Sequence, residues 1–353
     1  MLMKMFKANP WARLSAAARG RTGGRPGFAN RVLFRGMTMR KTNWLGVAVF
    51  ACFACAALAP GQATSSHPTD VTVPVTVLNR RPNATSVPRL SKDDIIVRQG
   101  GNVRPVLAWQ PVTGVSKGVD LAVLIDDSLE PSVALHWKGV GGFIRLLPKD
   151  SRVAIAYGSY SGASIAQPFT ADRERAIKAL RIPFGRINEG SSIYLSLIDL
   201  MDHWPSDGRS HIVLLISDGV DLFHGVLPSQ PGLNGDLDRA IKVSQQKGVV
   251  VDAIFASGAS HFSHNLFLIN NGQGCLARLA LETGGTAYIS TLETPLSFSP
   301  YLSQIIGSIQ TMYLLTFRAA LPAKAGYARI ELSAEPNGME LLGPSRVYLP
   351  AAH

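Results

Sequence analysis

The sequence predicts an α/β protein, a doubly wound and mostly parallel sheet, Rossmann-like, with a small β-sandwich-like module drawn from the two chain ends. Three observations predict it. From Val119 to Gln310, apolar strands alternate with amphipathic helices, and alternation of that length argues for a parallel sheet with helices on both faces. Before Val119 and after Thr311 the strands follow one another without helices, so they cannot simply extend a parallel sheet, whose connections need long crossovers. Between these regions the strand ending Leu124-Ile125 runs into Asp126-Asp127-Ser128-Leu129-Glu130-Pro131-Ser132. That strand-to-helix turn is dense in oxygen ligands, and open α/β sheets bind ligands at the carboxyl ends of their strands.

Residues 1–63 hold ten Lys/Arg and no Asp or Glu, while 64–353 hold twenty-five basic against twenty-four acidic residues. The net charge of +11 therefore belongs to the leader, and a nucleic-acid partner loses its main support. Arg40-Lys41 precede the apolar stretch Trp44 to Leu58, and Gly61-Gln62-Ala63 offers a small-residue cleavage site, the pattern of a signal peptide. The apolar stretch is shorter than the ~20 residues of a membrane span, so membrane contact is expected only through this segment if it stays uncleaved. Met37 or Met39 would make a conventional start, with 1–36 an over-extended beginning. Export to the periplasm, the outer envelope or the medium is expected. Cleavage would remove Cys52 and Cys55 and leave Cys275, so the mature chain could form no internal disulfide.

Four segments are expected in all: the leader 1–63, an N-terminal β module 64–117, an α/β domain 118–311, and C-terminal strands 312–353 that pack with the N-terminal module. Val71 to Leu78 alternates as an edge-type strand around Pro74. Ile95 to Val97 and Val103 to Trp109 are short strands about the turn Gly100-Gly101-Asn102, and Gly114 to Gly118 is the exit linker. Val119 to Ile125 is a buried strand and Ser132 to Leu147 a helix. Val153 to Tyr157 and Ser164 to Pro168 form a strand pair, followed by helices Ala171 to Leu180 and Ser192 to His203. Strands His211 to Ser217, Val249 to Ala256 and Thr286 to Ile289 alternate with helices Leu237 to Gln246, Ala277 to Thr283 and Pro300 to Gln310. Tyr313 to Ala319, Ala328 to Ser333 and Val347 to Leu349 complete the β module.

From Val71 to Leu349 the chain resembles the VWFA-related proteins of acidobacterial type, within the von Willebrand factor type A domain family. Leu90-Ser91-Lys92-Asp93-Asp94 before Ile95-Ile96-Val97-Arg98-Gln99-Gly100-Gly101 carries the likeness, with the Leu124 to Ser132 block, Gln167-Pro168-Phe169-Thr170 and Leu215-Ile216-Ser217-Asp218-Gly219. Tyr313-Leu314-Leu315-Thr316-Phe317 and Ala328-Arg329-Ile330-Glu331-Leu332 also match. The resemblance implies a fold and a metal-ion-dependent adhesion site of the pattern Asp-x-Ser-x-Ser, then Thr, then Asp-Gly; it implies no reaction.

Carried over residue by residue, that pattern assigns metal ligation to Asp126, Ser128, Glu130, Ser191 and Asp218. Asp127, Ser192 and Asp221 are neighbouring candidates for ligand contact, and Ser192 replaces Ser191 if the register slips by one. The implied cofactor is one divalent cation, Mg²⁺ or alternatively Ca²⁺ or Mn²⁺, which favours several oxygen ligands. Glu130 stands where a hydroxyl is expected. As a third carboxylate it would fill the vacancy that an external acidic ligand uses; alternatively it sits before Pro131 at a helix N-terminus, where negative charge is favoured by ~0.3–1 kcal/mol.

Enzymatic signals are weak. Gly114-Val115-Ser116-Lys117-Gly118 matches the nucleophile-elbow string but precedes a strand, whereas that chemistry needs strand, turn, then helix. His261-Phe262-Ser263-His264 lacks further zinc ligands at suitable spacing. Cys275 would have a lowered pKa if it opened a helix and is otherwise a buried thiol. No Gly-Lys-Ser/Thr phosphate loop occurs. The expectation is a non-enzymatic adhesion or protein-interaction module with another protein as partner. The alternative is a metal-free scaffold subunit of a cell-envelope assembly.

Overall fold

The computed structural model describes residues 69–80, 88–113, 118–185, 191–205, 207–259, 265–289, 292–335 and 338–352. The leader with its signal segment, all but the last residue of the Gly114 to Gly118 linker, and the His261 to His264 tract lie outside the described residues.

The first strands are β1 (Thr69–Asn79), β2 (Ile95–Gln99), β3 (Asn102–Arg104) and β4 (Val106–Pro111). The expected single strand 103–109 is broken at Pro105, and its halves go to different sheets: β3 pairs with β2, and β4 with a strand from the far end of the chain. Proline explains the break, because it lacks the N–H that a continuous ladder would use.

The middle of the chain runs β5 (Val119–Asp126), a 3₁₀ turn (Pro131–His136), α1 (Trp137–Leu146), β6 (Arg152–Ser159), β7 (Gly162–Thr170), α2 (Arg173–Lys178) and α3 (Ile193–Asp202). It continues with β8 (Ser210–Ser217), α4 (Gly235–Lys247), β9 (Val249–Phe255), α5 (Leu266–Thr283), β10 (Ala287–Tyr288) and α6 (Ser299–Gln310). The sheet order is β10-β9-β8-β5-β6-β7. All pairs are parallel except β6 with β7. This is the doubly wound, von Willebrand factor type A-like architecture expected. Every residue of β5 is buried. Leu121, Val123 and Ile125 face α1 and α6, while Ala122 and Leu124 face α3, α4 and α5, which is why the strand reads as an unbroken apolar run.

Two helices differ from expectation. The segment after Glu130 opens as a 3₁₀ turn before α1, since Pro131 supplies no N–H and leaves the first turn tight. Helix α5 begins at Leu266, eleven residues before the expected Ala277. Asn270-Asn271-Gly272-Gln273-Gly274 is a poor helix former in isolation, and packing overrides propensity here: a Cβ on Gly272 would collide with the Asp218 carbonyl oxygen, and one on Gly274 would meet Pro231 Cγ at 2.8 Å.

The C-terminal strands are β11 (Met312–Ala319), β12 (Gly326–Ala334), β13 (Met339–Leu342) and β14 (Arg346–Leu349). They interleave with the first four in two sheets, β13-β1-β11-β4 and β14-β12-β2-β3, around Val75, Val77, Val97, Leu315, Phe317 and Leu349. Strand β13 was not anticipated, being four residues of mixed character. Because β11 separates β1 from β4, and β12 separates β14 from β2, neither chain end holds a sheet alone. A chain ending at Gln310 should therefore lose amide protection throughout β1 and β2 while the central sheet keeps its own; hydrogen exchange read by mass spectrometry checks this.

Candidate functional site

Parallel pairing of β5 with β8 sets Ile125 beside Ile216, so Asp126 and the Ser217-Asp218 turn emerge side by side. Asp126 is buried. Its Oδ1 accepts from Ser128 N–H (3.0 Å) and Ser128 Oγ (2.6 Å), and its Oδ2 accepts from Ser217 Oγ (2.7 Å). Ser217 Oγ in turn accepts from Gly219 N–H (2.9 Å), and Asp218 Oδ1 accepts from Val220 N–H (2.9 Å). Burial raises the pKa of both carboxyls above the usual carboxylate range, and the Asp126 charge adds to the rise at Asp218. The buried Asp126 and half-buried Asp218 carboxyls beside the Ser128 hydroxyl form a hard-oxygen set of the kind a divalent cation takes.

The turn after β5 crosses over the end of β8 and is tied to the turn after β9. Leu129 bridges Gly258, Glu130 N–H donates to Ser257 O (3.0 Å), and Ala259 N–H donates to Ser128 O (2.8 Å). A Cβ at Gly258 would strike Asp218 Oδ2, so only glycine lets the turn lie so close. This pairing carries Glu130 away from Asp126 and Asp218, and its carboxylate accepts from Ser132 Oγ (3.3 Å). Among the described residues no three acidic, histidine or cysteine side chains converge on one point. Among the described residues Glu130 makes no hydrogen bond to Asp126, Ser128 or Asp218, and the oxygens gathered at the ends of β5 and β8 are those of these three residues.

Asp127 belongs to a different structure. It is bidentate with Arg181 (2.7 and 2.9 Å) and accepts from Phe184 N–H (3.1 Å). The Arg181 guanidinium lies 3.7 Å from the Tyr157 ring centre and 4.1 Å from that of Phe184. Tyr157 Oη donates to Arg181 O (2.9 Å). Asp127 is therefore a brace for the loop before Gly185. Nothing local in the sequence marks Arg181, which is far along the chain from its partner.

Ser192 and Asp221 are also engaged. Ser192 caps α3, accepting from Leu195 N–H (3.3 Å), and donates to Asp221 Oδ2 (2.9 Å). Asp221 accepts further from Asn234 Nδ2 (3.1 Å), and Asn234 caps α4. Serine and asparagine caps of this kind satisfy the first free amides of a helix. The pair thus ties α3 and α4 to the turn after β8. Ser191 is the residue ahead of the α3 cap. Tyr194 was not anticipated: buried in α3, it donates to Gly219 O (2.7 Å) and fixes the Asp218-Gly219 turn. Cys275 lies inside α5 rather than at its start, and burial raises its thiol to about 12.

No protein-family model matches this chain, and no curated protein matches it. Solved structures similar to it include the conserved hypothetical protein BatB from Bacteroides thetaiotaomicron, 14% identical, covering 54% of this chain and 98% of that one with a TM-score of 0.39. A von Willebrand factor type A protein from Catenulispora acidiphila is 14% identical, with 83% and 76% covered and a TM-score of 0.38. The pilus adhesin SpaC from Lactobacillus rhamnosus GG is 11% identical, with 72% and 47% covered and a TM-score of 0.42.

Two predictions arise here. Arg181→Met should leave the Asp127 carboxylate buried without its partner and destabilise the fold by roughly 2–3 kcal/mol, less than a fully buried pair would because Arg181 is 34% exposed; denaturant unfolding checks it. Asp252 is buried in β9, where it accepts from Thr286 N–H, and burial raises it to about 7. Its stabilising contribution is full below the unfolded pKa of ~3.9 and is lost as pH rises through about 7. Asp252→Asn should therefore gain on wild type by a few °C in melting temperature between pH 5 and pH 8, with chelator present.

Proposed function

We propose that the protein is an exported adhesion or interaction module, of the VWFA-related type found in acidobacteria, whose protein partner docks on the loops at the carboxyl end of the central sheet. The carrying observation is where apolar surface is exposed. Most large apolar side chains exposed among the described residues stand on these loops: Ile182 and Phe184 before α3, Phe223, Val226 and Leu227 after β8, Leu266 and Phe267 opening α5, and Leu292 and Leu296 before α6. The named side chains are nine of seventeen; the others are scattered, among them Leu146 on α1, Leu281 on α5, and Val103 and Tyr348 on the β module. Apolar residues gathered on one face and rimmed by polar groups are the usual mark of a protein-binding surface. The two-carboxylate set lies at the same end, and the reading proposed is a non-enzymatic one.

In this reading Asp126, Ser128 and Asp218, with Ser191, hold one divalent cation, Mg²⁺ or alternatively Ca²⁺ or Mn²⁺. The ion supplies a hard positive charge that offsets the repulsion between the two acids. With Glu130 turned aside, the protein side carries two carboxylates, and a partner's acidic group meets no excess negative charge. Among the described residues no helix is long and apolar enough to cross a membrane; export itself rests on the leader's composition.

Calorimetric titration with Mg²⁺, Mn²⁺ and Ca²⁺ tests the site. Asp218→Ala should weaken divalent binding at least ~10-fold, whereas Glu130→Ser should change it less than about twofold. Wild type silent towards all three ions would favour the metal-free scaffold. Phe223→Ser should reduce capture of the partner from envelope extract without lowering the melting temperature; unchanged capture would move the docking face elsewhere.

A further inference from the structure

The amino end of the central sheet holds a charge cluster that neither the docking face nor the two-carboxylate set uses. In register across three parallel strands stand His211 on β8, Asp120 on β5 and Arg152 on β6. Asp120 is fully buried, and Arg152 grips it through Nε (2.8 Å) and Nη2 while also donating to Asp207 (2.7 Å). Arg209 stands 3.8 Å from Asp120 and 3.5 Å from Asp207. Two carboxylates thus face two guanidinium groups. Trp204, only 9% exposed, closes over this row: its ring centre lies 4.8 Å from that of half-buried His211 and 4.9 Å from that of Phe169, over which Arg152 lies at 5.9 Å. Among the described residues neither Trp204 Nε1 nor His211 Nε2 has a hydrogen-bond partner, although both atoms are shut off from solvent. Buried polar atoms in that state are few in any fold, and here two belong to rings in contact.

We propose that the Trp204–His211 pair is an acid-sensitive latch: neutral His211 lets Trp204 close over the sheet, and a proton on His211 drives Trp204 out and loosens the C-terminal turn of α3. Charge is the first reason. An imidazolium would add a third positive group where both carboxylates are already taken by arginines. Lys247, at the end of α4, brings a further cation, itself 3.2 Å from Asp202 and bonded to Met201 O (3.0 Å). Hydrogen bonding is the second. A neutral imidazole can offer Nε2 as an acceptor beside the indole N–H, whereas a protonated one has only donors and leaves two enclosed N–H groups facing each other. Position is the third. Trp204 N–H donates to Met201 O (3.3 Å), so displacing the ring pulls on the last turn of α3. Burial lowers the His211 pKa against the opposing pull of Asp120 and Asp207. The closed form is therefore fully favoured above the unfolded value of ~6.5 and weakens as pH falls below it. At its other end α3 carries Ser192 and Tyr194, which bond Asp221 and the Gly219 carbonyl, so the latch acts on the helix that holds the turn after β8.

Hydrogen exchange by mass spectrometry on the full chain, corrected for intrinsic exchange rates, tests the latch at pH 7.5 and pH 5.0. Peptides covering Leu200 to Trp204 should lose protection about tenfold between the two. The Trp204 indole N–H, assigned by its absence in Trp204→Phe, should leave its NMR position over the range in which His211 titrates. His211→Gln should hold its protection at pH 5.0 within about twofold of that at pH 7.5. His203→Gln should behave as wild type, because His203 lies in the same segment but is exposed beside Asp199 (3.7 Å). Asp218 and Asp252 titrate in this range in all these chains, so the comparison isolates the imidazole. Equal loss of protection in wild type and His211→Gln, or none in wild type, overturns the inference. Should His211→Gln fail to fold, the wild-type spectrum decides: an indole N–H signal that stays in place through the His211 titration overturns it as well.

Discussion

The burial of β5 on both faces is the constraint on which the rest of the structure depends. A parallel strand flanked by β6 and β8 and covered by helices front and back has no freedom to slip, because a one-residue shift would reverse its whole set of side chains. The strand therefore delivers Asp126 to one place, beside the end of β8. Every polar group at the site is arranged around that delivery. Ser128 and Ser217 bond to Asp126, Tyr194 holds the Gly219 carbonyl, and the Ser192–Asp221–Asn234 chain ties two helix caps to the same turn.

Close approach of backbones is the second element, and glycine provides it. Gly258 lets the β9 turn lie over Asp218, and Gly272 lets α5 press against the carbonyl of the same residue. Gly219 meets Gly272 from the other side with φ of 70°, a left-handed backbone that side chains disfavour. The outcome is that Asp218 is packed against backbone, and burial together with the Asp126 charge raises its pKa to about 8. Enclosure also separates the acids by role. Asp127, one residue from Asp126, is buried against the Arg181 brace and paired there, whereas Asp126 is met by the Ser128 and Ser217 hydroxyls and the Ser128 N–H, and Asp218 by the Val220 N–H.

The β module shows a different logic. Its two sheets alternate strands from the two chain ends, so its stability is inseparable from closure of the α/β domain between them. Contacts at the far end of that domain join the two parts: Tyr327 Oη donates to Lys242 O (3.0 Å), Ser345 N–H to Glu282 O (3.1 Å), and Gln245 Nε2 to Ser345 Oγ (3.2 Å). They involve the C-terminal parts of α4 and α5, away from the loops that carry the two carboxylates. Nine of the seventeen large apolar side chains exposed among the described residues stand at the carboxyl end of the sheet.

Much of this was legible in the sequence. Period and run length alone identified the alternating strands and helices, the central buried strand and the all-β ends, since these follow from local burial patterns. The oxygen-rich turns at Asp126 and Ser217-Asp218-Gly219 were legible for the same reason. Three things were not. Pro105 read as an ordinary strand residue until its flanks were seen to join different sheets. The first half of α5 looked unfit for a helix because its glycines answer to a backbone far away in the chain. Glu130 read as a third ligand because spacing places it on the same turn, but a bridge between Leu129 and Gly258 rotates that turn towards β9. The sequence by itself determined which elements form and which turns are rich in oxygen, because those are properties of neighbours along the chain. Only tertiary structure decided which carboxylates meet, because that depends on contacts between segments distant in sequence, Arg181 with Asp127, Ser192 with Asp221 and Gly258 with Asp218, whose partners no local pattern can specify.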